Sequence, residues 1–303
     1  MAVYLRLKQK IQDLMLSKNK WEDNLIDEIP RSWEKYGDMV LIDKNRFLKD
    51  SVWKDVECEL WPIICEVLNV ERIAFKSIIN SDGFRTPNTE LIWGQSPWIK
   101  CLDNGITYTW DLTKSMFCAG NASERHRIAK LNCDGEVVVD LYAGIGYFTL
   151  PYLVHSKAQL VYACEWNPNA VIALKKNIVM NNVADRCIVI EGDNQSAGLQ
   201  DIADRINCGL LPSSRPGWVL ACKAIKTMSG GMLHIHENVS CKKDKRKIWA
   251  MEVSQSILQI LQEVKSHKTR WEVSVLGIHR VKSYAPHVDH LVLDLKCKPT
   301  VDC

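Results

Sequence analysis

No two of the twelve cysteines in this 303-residue chain stand in a C-x-x-C pair. That absence disfavours zinc-ribbon and thioredoxin-type chemistry, and scattered single thiols read as a reduced, intracellular set. No apolar run approaches the roughly 18 residues that a membrane-crossing helix needs. Nor is there a secretory signal, because Met1 to Lys10 carries charge too early and too often. A cytoplasmic protein without a membrane partner is therefore expected. Strong charge bias is missing too: the formal net charge of +3 permits a nucleic-acid partner without requiring one. With 47% hydrophobic and 25% charged residues, the chain has the composition of a folded globular protein of one large domain or two modest ones.

The most informative absence is a glycine. Val137 to Thr149, VVVDLYAGIGYFT, reads as a strand, a tight turn through Gly144 and Gly146, and the start of a helix. The third glycine of the dinucleotide fingerprint is replaced by Thr149, which argues against NAD and for a cofactor without pyrophosphate, such as S-adenosylmethionine. Glu165 follows at the tip of the next expected strand, where a carboxylate can accept from both ribose hydroxyls; a plain solvated strand end is the competing reading. Asp193 and Asn194, after the third strand, are candidates for reading the adenine, or alternatively for an Asx-capped turn. Asp140 and Gly144 would form the loop beneath the amino-acid end of the cofactor, with Asp140 alternatively capping the helix.

Along the chain, residues 1–71 predict a helical N-terminal region, with helices through Tyr4 to Met15 and Trp53 to Leu68 and a short strand at Met39–Ile42. Residues 72–132 predict a small mixed α+β domain, with strands at Leu91–Gly94 and Ile106–Trp110 and turns at Ser81-Asp82-Gly83 and Asp103-Asn104-Gly105. From residue 133 to 303 strands, expected after Val137–Val139 at Leu160–Cys164, Cys187–Ile190, Ile202–Ile206 and Met232–His236, alternate with helix-length segments at Ala170–Asn181, Trp218–Met228 and Ile248–Val264. The last two strands, Trp271–His279 and His290–Leu295, are joined by too few residues for a crossover helix and must pair antiparallel. The fold class is thus α/β: a Rossmann-like transferase sheet, parallel with a terminal antiparallel hairpin, preceded by a smaller mixed α+β domain. Two alternating histidines, His234 and His236, lack a third ligand at useful spacing, so packing or exposure is expected and no metal. The run Lys242 to Lys247 reads as a solvated loop, or as a contact for RNA backbone.

The segments MFCAGN (Met116–Asn121) with Ser123-Glu124-Arg125, DLYAGIGYFTLP (Asp140–Pro151), ACEWNP (Ala163–Pro168), GDN (Gly192–Asn194) and VKSYAPHVDH (Val281–His290) resemble the tRNA wybutosine-synthesizing protein 2 family. That family is related to the tRNA guanosine-37 N1-methyltransferases. The resemblance is carried from about Arg72 onward and is thinner upstream. It implies transfer of the 3-amino-3-carboxypropyl group of S-adenosylmethionine to 4-demethylwyosine at position 37 of phenylalanine tRNA, in the anticodon loop, by a monomer. A guanosine-37 methyltransferase, or a tRNA-binding homologue with impaired catalysis, are the alternatives. By the same resemblance Arg125 would hold the methionyl carboxylate, with Cys118 contacting the cofactor through its backbone. Asn207 and Pro212, in the altered loop NCGLLPS, would steer the cofactor. Lys282, Tyr284 and His287, between the last two strands, would meet RNA, Tyr284 by stacking and Lys282 by neutralising a phosphate.

Overall fold

The computed structural model describes residues 2–77, 83, 84, 86–242, 244–265 and 269–300. Most of the expected Ser81-Asp82-Gly83 turn, and Lys243 within the basic run, lie outside the described residues. The chain divides into two compact units, Met1–Cys101 with Tyr108–Met116, and Leu102–Thr107 with Phe117–Cys303.

In the first unit, helix α1 (Ala2–Ser17) buries Leu7, Ile11, Leu14 and Met15, the stripe that a 3.6-residue period dictates. Strands β1 (Glu34–Tyr36) and β2 (Met39–Asp43) form a hairpin; helix α2 (Glu57–Leu68) then carries the chain to β3 (Arg72–Lys76), and β4 (Thr89–Trp93) completes the sheet in the order β1-β2-β3-β4. Helix α2 ends where Asn69 turns left-handed and its N–H returns to Cys65. Because β2 and β3 pair in parallel, Met39 opposite Arg72, the boundary expected at 71/72 falls inside one sheet. One core, joining Leu7 and Ile11 to Leu60, Ile64 and Ile73, spans it. Strands β5 (Trp98–Asp103) and β6 (Ile106–Asp111) make a separate hairpin. Its turn residues Asn104 and Gly105 both have positive φ, as a two-residue primed turn requires. The tip of that hairpin belongs to the second unit.

After that tip the second unit continues through the short helix α3 (Ala122–Ile128), β7 (Val137–Asp140), α4 (Thr149–Val154), β8 (Leu160–Glu165), α5 (Pro168–Met180), β9 (Cys187–Glu191), β10 (Arg205–Cys208), α6 (Trp218–Ala224), β11 (Gly231–Ser240), α7 (Lys245–Val264), β12 (Arg270–Ala285) and β13 (Val288–Thr300). The sheet order is β12-β13-β11-β10-β7-β8-β9. Strands β7 to β11 run parallel, and β13 pairs antiparallel with both β11 and β12. The order reverses at β7: β8 and β9 follow on one side of it and β10 and β11 on the other, the switch point at whose carboxyl end such sheets bind ligands.

Three expectations shift. Helix α6 stops at Ala224 instead of Met228, since Ile225 turns extended and bridges Ala203 while Lys226 reaches Asp204 at 2.7 Å. Ile202 and Ala203 lie outside β10 because their N–H groups donate to Ala224. The stretch Arg280–Val288 is not a loop: both strands extend through it, with Ala285 opposite Val288 and only Pro286 and His287 turning.

Candidate active site

Strand β7 delivers Asp140 into the interior, fully buried. Its carboxylate accepts from Thr149 Oγ1 at 2.8 Å and from Asn207 Nδ2 at 3.0 Å. Burial pushes this carboxyl above its ordinary range, against the pull of those two donors. Asp140 therefore ties the start of α4 to the end of β10, closer to the helix-anchoring alternative than to a group lining an open loop. Thr149, read first as a missing glycine, is the hydroxyl that makes this bond.

Beyond Asp140 the chain turns at Gly144, whose φ of +57° favours glycine. A Cβ there would sit 2.4 Å from Tyr147 Cε2. The Gly144 N–H donates to Glu165 Oε2 at 2.7 Å, and the Asn167 N–H donates to Oε1 at 2.7 Å. So the glycine turn and the acid, 21 residues apart, meet at the tips of β7 and β8. Burial raises the Glu165 carboxyl, while the amides of Asn167, Gly144 and Trp166 lower it. A carboxylate offers about four acceptor sites, so lone pairs remain on Glu165 for a ribose.

At the end of β9, Asp193 accepts from the Gln195 N–H at 2.9 Å and caps a short 3-10 turn. Asn194 is buried and donates to the Leu141 carbonyl at 2.8 Å. The Asx-cap alternative is thus realised, and Asn194 braces the β7 turn. Asn207 is fully buried, with its amide on Asp140 and its Oδ1 without a hydrogen-bond partner among the described residues. Pro212 follows a cis peptide bond, and its carbonyl accepts from Asn238 at 2.8 Å, which joins the 207–213 loop to β11.

Arg125 lies on α3. It is 2% exposed, donates through Nε to Asp103 Oδ2 at 2.6 Å and through Nη1 to the Cys118 carbonyl at 3.0 Å. Its guanidinium lies 4.7 Å from the Phe117 ring centroid, and that ring is 5.9 Å from Tyr147. Gly144, Tyr147, Phe117 and Arg125 are therefore one contiguous set. The Cys118 carbonyl accepts from Arg125, and its Sγ accepts from Lys282 Nζ at 2.9 Å. Lys282 is half-buried on β12 and turned onto that thiol. Tyr284 is 48% exposed, and His287 is exposed at the hairpin turn.

A polar row crosses the sheet beside this site: Asp140 opposite Asn207, Asn207 opposite His234, His234 opposite Asp294. His234 and His236 are buried, not exposed. His234 Nδ1 is 2.6 Å from Asp294 and its Nε2 2.9 Å from Arg205, while His236 Nδ1 is 3.0 Å from His290 Nε2. Burial would raise Asp294, but His234, Arg127 and His279 outweigh it and hold the carboxyl well below its usual range. Burial lowers all three histidines, His290 to about 4. Among the described residues no group of three or more His, Cys, Asp or Glu side chains is placed to hold a metal ion. Sequence reading missed Asp103, Arg205, His290 and Asp294 as partners, since each pairs with a residue at least 22 positions away.

Comparison with known proteins identifies the family. The model of the TRM5/TYW2 methyltransferase domain matches residues 100–266, and that of the TYW2 N-terminal domain matches residues 11–97, so the likeness extends well upstream of Arg72. The chain is 42% identical to tRNA wybutosine-synthesizing protein 2 homolog of Danio rerio, over 98% of this chain and 79% of that protein. It is 41% identical to the Homo sapiens homolog, over 92% and 72%. Among solved structures, P. horikoshii TYW2 in complex with MeSAdo superposes with a TM-score of 0.74 at 29% identity, covering 96% of this chain and 99% of that one. M. jannaschii TYW2 in complex with AdoMet gives 0.65 at 27%, covering 89% and 100%. The chain belongs to the tRNA wybutosine-synthesizing protein 2 family.

Proposed function

We infer that this protein transfers the 3-amino-3-carboxypropyl group of S-adenosylmethionine to 4-demethylwyosine at position 37 of phenylalanine tRNA. One observation carries the cofactor reading: the Glu165 carboxylate is held at the tip of β8 by the Gly144 and Asn167 amides, with lone pairs left for ribose hydroxyls. The tight Gly144 turn lets backbone approach the ligand without a Cβ in the way.

S-Adenosylmethionine supplies an electrophilic carbon on a sulfonium centre. The chain's residues supply position. Glu165 anchors the ribose, Asp193 offers its Oδ2 to an exocyclic amine, and Asp140 with Asn207 holds the floor rigid so that one carbon faces the acceptor. In the transfer, the acceptor carbon bonds to the terminal methylene of the aminocarboxypropyl arm and the carbon–sulfur bond breaks onto sulfur. The acceptor carbon then loses its proton. The relative from P. horikoshii was crystallised with MeSAdo, the cofactor without that arm, which favours this outcome over methyl transfer. On the RNA side, Tyr284 is the exposed stacking candidate and His287 stands beside it at the turn. We place the enzyme in the cytoplasm as a monomer acting on the anticodon loop.

The test is to incubate the protein with S-adenosylmethionine and phenylalanine tRNA carrying 4-demethylwyosine, then measure the nucleoside and the spent cofactor by mass spectrometry. Gain of the aminocarboxypropyl mass with release of methylthioadenosine is expected. Gain of a methyl with S-adenosylhomocysteine would overturn the reading.

A further inference from the structure

The second half of the run Lys242 to Lys247 is the first turn of a helix: Lys245, Arg246 and Lys247 open α7, with no acid among them. A helix presents the positive end of its dipole there, so cations in that turn work against local stability and acids would add to it. The turn is nevertheless pinned to the sheet at three points. Trp249 Nε1 donates to Glu237 of β11 at 2.9 Å, Arg246 Nη2 to Asp289 of β13 at 2.6 Å, and the Cys241 N–H to the His287 carbonyl at 3.0 Å. Asp289 is buried and also pairs with Arg280 Nε at 2.9 Å, so one carboxylate is shared by two guanidiniums. Lys242, Lys245 and Lys247 are exposed, and among the described residues none of the three ammonium groups has an ion-pair or hydrogen-bond partner.

The strands set this cluster above the cofactor turn. β7 and β10 end at Asp140 and Cys208, while β11, level with Asp140 at His234, runs on to Ser240. At about 3.3 Å per residue it rises ~20 Å past Asp140. The β12–β13 hairpin rises beside it, with Val288 opposite Ser240 and Tyr284 exposed near the turn.

We propose that Lys242, Lys245 and Lys247, with Arg280 and Tyr284, form the surface that grips the RNA backbone next to the nucleotide being modified. Exposed, unpaired ammonium groups neutralise phosphates, and an exposed phenol ring stacks on an unpaired base. The cations stand on the carboxyl edge of the sheet, the edge at which Gly144 and Glu165 meet, so RNA held there presents a nucleotide to the same side as the cofactor turn. An RNA contact also accounts for cations at a helix start where acids would be more stable. The assignment to RNA rests on the transferase reading above and names where that substrate is gripped.

The experiment compares wild type with Lys245→Gln/Lys247→Gln and with a control of equal charge change, Lys296→Gln/Lys298→Gln. Lys296 and Lys298 are exposed on β13 at the opposite edge of the sheet, Lys296 facing Met232 at the start of β11. Binding of phenylalanine tRNA is followed by fluorescence anisotropy over a series of salt concentrations. In the α7 pair the slope of log affinity against log salt shrinks by about 1.4, at about 0.7 for each single-strand phosphate contact, and near physiological salt the affinity falls on the order of ten-fold. The control pair keeps the wild-type slope and affinity. Both pairs bind S-adenosylmethionine as the wild type does by calorimetry. The α7 pair unfolds at the wild-type temperature or above it, because glutamine nearly matches lysine in helix propensity and removes a cation from the first turn; a merely structural role would lower that temperature. Unchanged tRNA affinity and slope in the α7 pair overturn the proposal, as does an equal loss in the control pair, which would make net charge the cause. Weaker binding of the α7 pair to phosphatidylserine vesicles with tRNA binding unchanged also overturns it, in favour of a membrane surface. If the α7 pair does not fold, Lys242→Gln, ahead of the helix, decides it: its slope must shrink by about 0.7, and an unchanged slope refutes the surface. Failure of the wild type to modify tRNA refutes the transferase reading itself, and the binding comparison still decides this surface.

Discussion

Acidification attacks this fold through the buried His236–His290 pair. His290 is 1% exposed and is lowered from 6.5 to about 4 by burial, with the Lys282 charge adding to it. The folded pKa lies below the unfolded one, so the unfolded chain binds more protons in between. The stability this residue contributes is intact above about pH 6.5 and is lost as pH falls toward 4. At about pH 5 the unfolded imidazole is almost fully protonated and the folded one almost neutral, a cost of about 2 kcal/mol. His236, 3.0 Å away and lowered by burial and by His290, acts in the same direction. Asp140 and Glu165, raised by burial, act oppositely over the range just above the ordinary carboxylate values, so the informative quantity is a difference between variants. Urea unfolding followed by tryptophan fluorescence, at about pH 7.5 and about pH 5, should show wild type losing about 2 kcal/mol more than His290→Gln. Equal losses in the two proteins, within about 0.5 kcal/mol, would refute the argument that this imidazole is held neutral.

Glu165→Ala removes the ribose acceptor and leaves the Gly144 and Asn167 amides without their carboxylate, so S-adenosylmethionine should bind on the order of ten-fold to a hundred-fold more weakly by calorimetry. Unchanged affinity would move the cofactor site elsewhere. Arg205→Met strands Glu136 and His234 in a half-buried network and is expected to cost about 3–5 kcal/mol in urea unfolding; a loss below about 1 kcal/mol contradicts that network. Binding of tRNA should fall linearly with the logarithm of salt concentration in filter-binding titrations, and a flat response would mean phosphates contribute little.

Local rules made much of the framework readable. Val137–Val139 followed by Asp140 and a glycine turn specify a strand and its close exit because β-branched residues favour extended backbone and glycine readily takes the positive φ of the turn. The Asp103-Asn104-Gly105 turn was legible for the same reason. Glu165 could be picked out because one helix-length separation places it on the neighbouring strand tip. The pairing of Asp103 could not, since a turn aspartate looks the same whether it faces solvent or meets Arg125.

The residue pattern by itself determined the alternation of strands and helices, the terminal antiparallel pair and the cofactor turn, because these follow from periodicity, connection length and the conformational freedom of glycine. Only the tertiary structure decided which charges remain available. It turned Lys282 onto Cys118, buried His234 and His236, and set Asp103 against Arg125. Pairing across 22 to 164 positions depends on where folding brings side chains, and burial makes each such pairing compulsory.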